Sequence, residues 1–83
     1  MDHTLDYLLE SLSNWVDTHA EARTIYRKLV NHHYQNERAF AKGLSQEESH
    51  FLTEILTEEM HYAQQEQDDV RLGQLNEVYE QLY

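Results

Sequence analysis

Ser45-Gln46-Glu47-Glu48-Ser49-His50-Phe51-Leu52-Thr53-Glu54-Ile55-Leu56 decides the fold class. A serine followed three residues later by a glutamate is the capping-box pattern, in which hydroxyl and carboxylate satisfy each other's free amides at a helix start. The apolar residues behind it, Phe51, Leu52, Ile55, Leu56, Met60 and Ala63, recur at three- and four-residue steps, the period of one helical stripe. Val70, Leu75, Val78, Tyr79 and Leu82 continue it across a polar gap, Gln64 to Asp69, that reads as exposed helix or a kink. Gly73 costs a helix about 1 kcal/mol without forbidding it. Unbroken, residues 45–82 would span about 57 Å, so this long C-terminal helix has to pair with the N-terminal helices or with another chain.

Upstream, Leu5, Leu8, Leu9, Leu12, Trp15, Val16 and His19 form a stripe, and Ala22, Ile25, Tyr26, Leu29, Val30 and His33 form another of the same period. Asp2 or Thr4 can cap the first. Thr18 and Glu21 fit a second capping box, so a helix starts there or one bent helix runs to about Tyr34. Asn36 can cap a short helix through Phe40 to Lys42, and Gly43 suits a left-handed terminating position. Pro is absent, Gly occurs twice, and strand-type alternation is missing. The expectation is one all-α domain over residues 1–83, a small antiparallel bundle of three to four helices, with a homodimer as one arrangement.

Composition narrows the function classes. The 83 residues carry 16 acids and six Lys plus Arg, a net charge of −10, which disfavours unaided nucleic-acid binding because phosphate demands a basic footprint. No apolar run approaches the ~20 residues of a membrane span, and no secretory signal pattern opens the chain. A cytosolic location without membrane association is expected. With no Cys, disulfides and thiol chemistry are out.

Charge is blocked: residues 1–22 sum to −5, 23–44 to +4 and 45–83 to −9. Arg23, Arg27 and Lys28, with Arg38 and Lys42 beyond, form a basic patch that an antiparallel fold sets beside the acidic helix. Mutual pairing is the plain reading, and a docking surface for an acidic or phosphorylated partner is the functional one.

Glu47-Glu48-Ser49-His50 and Glu58-Glu59-Met60-His61 both contain Glu-x-x-His, the pair that di-iron bundles project inward. Here the two pairs share one helix about 16 Å apart, so one centre cannot use both, and no metal or cofactor is expected. No Gly-x-Ser-x-Gly or phosphate loop occurs, so catalysis is not expected either. The aromatic residues fit core or dimer seams better than base stacking, which would need a basic groove.

Met1-Asp2, Thr4-Leu5, Tyr7-Leu8 and Glu10-Ser11-Leu12-Ser13-Asn14, then Tyr34, Asn36-Glu37, Phe40 and Phe51-Leu52, carry a resemblance. So, more closely, do Tyr62-Ala63-Gln64, Glu66-Gln67-Asp68 and Leu75-Asn76-Glu77-Val78-Tyr79-Glu80. Together they resemble the sigma-G-dependent sporulation-specific family of Bacillus, often labelled small acid-soluble spore proteins. The likeness runs nearly end to end, with residues 15–33 matching loosely, and none of its strings is a catalytic motif. It implies expression in the forespore and presence in the spore interior. It does not imply DNA coating, since the glycine-containing motifs of the DNA-binding spore proteins are absent here.

Two functional readings follow. One is a folded, non-enzymatic sporulation protein acting through protein contact, with itself or a partner, by a face of Tyr62, Val70, Leu75, Val78 and Tyr79. The other is a spore reserve or protectant without a specific partner.

Overall fold

The firm helix start at Ser45 forms as the sequence predicts. In the computed structural model, which describes residues 4–32 and 34–82 without the Thr4 side chain, Ser45 Oγ accepts from the Glu48 amide and Glu48 Oε1 from the Ser45 amide, completing the capping box. The chain is all-helical among the described residues, with α1 Thr4–Ser13, α2 Ala20–Asn31, α3 Glu37–Lys42, α4 Gln46–Gln65 and α5 Asp69–Glu80. That is five helices where three to four were expected. The capping of α1 by Asp2 or Thr4, and the place of His33 on the second stripe, lie outside the described residues.

The extra helix comes from a break in the long C-terminal stripe. Gln67 takes φ 58°, its amide donates to Gln64 O, and the Asp68 amide reaches back to Ala63 O at 2.8 Å. These two bonds make a Schellman motif, which closes the orphan carbonyls of α4. Asp68 then accepts from the Arg71 amide at 3.1 Å and caps α5. The polar gap is therefore neither exposed helix nor a kink. It folds α5 back along the molecule, which measures 30 × 29 × 22 Å with a radius of gyration of 11.6 Å, about the value expected for this length.

Residues 14–19 separate α1 from α2, so the single bent helix does not form. Nor does the Thr18 capping box. His19 occupies the cap without a side-chain capping bond, and its Nδ1 lies 2.8 Å from Thr18 Oγ1 instead. Asn36 caps α3 as expected, accepting from the Ala39 amide. Gly43 ends α3 at φ −83° rather than in a left-handed conformation. Its carbonyl accepts from Lys28 Nζ at 3.0 Å.

α5 packs against α1, α3 and α4, while α2 packs against α1 and α4. Leu8 and Leu12 of α1, Ala22 and Ile25 of α2, Phe40, Leu52, Ile55 and Leu56 of α4, and Leu75 and Val78 of α5 form one core. Tyr34 closes its α3 end, edge-on to Phe40 at 5.4 Å. Two described residues assigned to apolar stripes are exposed instead: Val30 at 50% and Val70 at 62%. No helix among the described residues is long and apolar enough to cross a membrane.

Candidate functional site

The five residues expected to form one binding face do not share a surface. Leu75 and Val78 have no exposed area and belong to the core, so they drop out of it. Tyr62 is 55% exposed on α4. Tyr79, half-buried, lines a groove between α4 and α5 with Met60, His61, Tyr62 and Leu72. Val70 projects from the first turn of α5 and lines no groove with them.

On its other side Tyr62 borders a recess of about 430 Å³ where the α1–α2 connection, the end of α4 and the start of α5 meet. Asn14, Trp15, Glu59, Glu66 and Arg71 are among the residues of its wall. Glu59 is only 9% exposed. Among the described residues its carboxylate accepts from Asn14 Nδ2, at 3.3 Å to Oε1, and no ion pair reaches it. Arg71 is the cation of the recess, but its Nη2 is directed to Glu10 Oε1 at 3.4 Å and Ser11 Oγ at 3.5 Å. The Trp15 indole nitrogen is buried with no hydrogen-bond partner among the described residues. Buried polar groups without partners are rare in folded proteins, and the Trp15 nitrogen, one of them, lies on the same recess as Glu59.

Sequence reasoning passed over Glu59, Trp15 and Asn14 as site residues. The signal for Glu59 was available: it stands four residues after Ile55 and four before Ala63, on the register of the buried stripe. A glutamate at a core position is a question about its partner.

The basic patch is paired at one point. Lys28 Nζ lies 2.6 Å from Glu48 Oε1. Burial alone would raise the Glu48 carboxyl, but the bonds from Lys28 and from Ser45 outweigh it and hold the group below its ordinary value. Arg23 donates to Val16 O at 2.8 Å. Arg27, Arg38 and Lys42 are exposed and enter no ion pair among the described residues. Among the described residues the basic patch is thus neutralised locally, by one bridge to the acidic helix rather than across a matched face.

The histidines form no metal-ligand set: no group of three or more His, Asp or Glu close enough to hold an ion occurs among the described residues. His50 instead faces Glu54 at 3.2 Å, and His61 lies 3.2 Å from Gln65 Nε2. His19 is sandwiched between Trp15 and Phe51, ring centroids 5.4 and 5.5 Å away, which is packing.

Two comparisons bear on this arrangement. The family described as CsgA, minor curli fiber component A, matches over residues 1–83. The chain is 48% identical over 82 residues, 99% of each sequence, to a Bacillus subtilis (strain 168) protein named sigma-G-dependent sporulation-specific SASP protein. No solved structure matches.

Proposed function

The chain belongs to the family described as CsgA, minor curli fiber component A, and from this premise and its likeness to the Bacillus subtilis sporulation-specific protein we propose a non-enzymatic sporulation protein acting by protein contact. In this reading it works in the forespore and persists in the spore interior, supported by the name of that relative, a sigma-G-dependent sporulation-specific protein. Tyr62, exposed beside the near-buried and cation-free Glu59, is the observation that carries the reading. A solvated tyrosine next to a desolvated carboxylate is the composition of an interface anchor, apolar ring and polar tip together. A reserve protein needs no such pair.

The family description names a fibre component. The described residues of this chain contain no strand, so contact between copies would run through helix faces. A photo-crosslinking amino acid at Tyr62, with the same group at exposed Gln35 as control, tests the proposal in sporulating cells. Protein adducts from position 62 and none from 35 are expected. Adducts from neither, in abundant folded protein, would refute contact through this surface.

A further inference from the structure

Glu59 is 9% exposed on the wall of the recess, and its carboxylate accepts one hydrogen bond, of 3.3 Å, from the neutral Asn14 amide. A desolvated carboxylate is stable when a cation or several donors face it. Neither is supplied from within the described chain, since Arg71 turns to Glu10 and Ser11. The neighbouring rings of Trp15 and Tyr62 suit a planar guanidinium, which bonds a carboxylate through its fork and stacks on aromatic faces.

The molecule carries a matching cation elsewhere. On α2, Arg23, Arg27 and Val30 fall within one exposed sector of the helix, opposite buried Ala22 and Ile25. Among the described residues Arg27 has no ion pair, and Val30 is a large apolar residue left exposed, as Tyr62 and Val70 are. Arg27 and Val30 are three residues apart, as are Glu59 and Tyr62. Both pairs therefore span about 4.5 Å along their helix axes. Charge adds to the match, because the segment that holds Arg27 is the basic block of an otherwise acidic chain.

Resting on the protein-contact reading, we propose that Arg27 and Val30 of one copy dock on Glu59 and Tyr62 of a second copy, guanidinium to carboxylate and valine to tyrosine ring. The two patches differ, so the contact is heterologous. Each docked copy still offers one free patch of each kind, and assembly continues unless the rotation closes a ring.

Sedimentation velocity on the full chain tests it. The mass of the wild type should rise with concentration from 10.0 kDa past two copies. Arg27→Glu and Tyr62→Lys, both at exposed positions, should each remain monomeric, with association weakened about tenfold or more, the equivalent of ~1.4 kcal/mol. An equimolar mixture of the two should associate and stop at two copies, since one variant keeps the recess and the other keeps the arginine. Circular dichroism establishes that both variants remain folded. A wild type monomeric at every concentration, a folded mixture that fails to associate, or either variant dimerising alone would overturn the proposal. A monomeric wild type that still crosslinks through Tyr62 to a different protein would end this inference and leave the protein-contact reading standing.

Discussion

Glu48→Ala should cost this fold about 2–4 kcal/mol. The carboxylate accepts from Lys28 Nζ at 2.6 Å and from the Ser45 amide at 2.8 Å, tying α2 to the start of α4. A charge-assisted bond contributes about 1.5–3 kcal/mol, and loss of the carboxylate half of a capping box adds roughly 0.5–1 kcal/mol. Lys28 is partly exposed and keeps its bond to Gly43 O, so its ammonium can recover water. That holds the cost below what a fully buried orphan charge would exact. Domains of this size have a total stability of about 4–12 kcal/mol, and each kcal/mol lowers Tm by roughly 4–8 °C. A Tm fall of about 10–25 °C by circular dichroism is therefore expected, with the urea m-value unchanged. Glu48→Gln keeps an acceptor without the charge and should lose about half as much.

The same group sets a pH dependence. Its folded pKa lies below the ordinary value, so the stabilisation is fully present above the unfolded carboxyl range of about 4.3 and is lost as pH falls through the folded pKa. Wild type and Glu48→Gln should converge in stability as the carboxyl protonates. A loss under ~1 kcal/mol in Glu48→Ala at neutral pH, or curves that stay parallel into acid, would refute the assigned bonds.

Three further substitutions probe the backbone and core. Gln67→Gly should stabilise by about 1 kcal/mol, because the left-handed conformation at Gln67 strains any residue with a Cβ; urea denaturation reads it, and destabilisation would contradict the Schellman geometry. Gly73→Ala should gain about 1 kcal/mol in the same assay, since Gly73 lies inside α5 and an added Cβ meets nothing within 4 Å, leaving helix propensity to decide. Phe40→Ala should cost about 3–5 kcal/mol, as Phe40 is fully buried and is the largest of the fully buried side chains; retention of the wild-type Tm would place the core elsewhere.

Local signals read from the sequence succeeded where the chemistry is local. The Ser45–Glu48 box and the Asn36 cap form within four residues of chain, and both are present as expected. The break at Gln67 carried no glycine to announce it. Propensity favours continuing a helix through Gln64–Asp69, but burying Leu75 and Val78 against α1 and α4 requires α5 to turn back. Tertiary packing therefore outweighs the cost of one left-handed glutamine. The same packing moved Leu75 and Val78 from a presumed binding face into the core and left Val30 and Val70 outside it, although all four occupy helical periods.

By itself, the sequence determined the helical class, the start of α4, the absence of strand patterning, and the lineage, because periodicity, capping chemistry and shared strings are properties of neighbouring residues along the chain. Only the tertiary structure decided which apolar residues were core and which exposed. It alone paired one lysine of the basic patch, and it set Glu59 in a recess beside Tyr62 and Trp15. Those outcomes depend on residues 20 or more positions apart in sequence, and a helical period states which face is apolar without stating what, if anything, covers it.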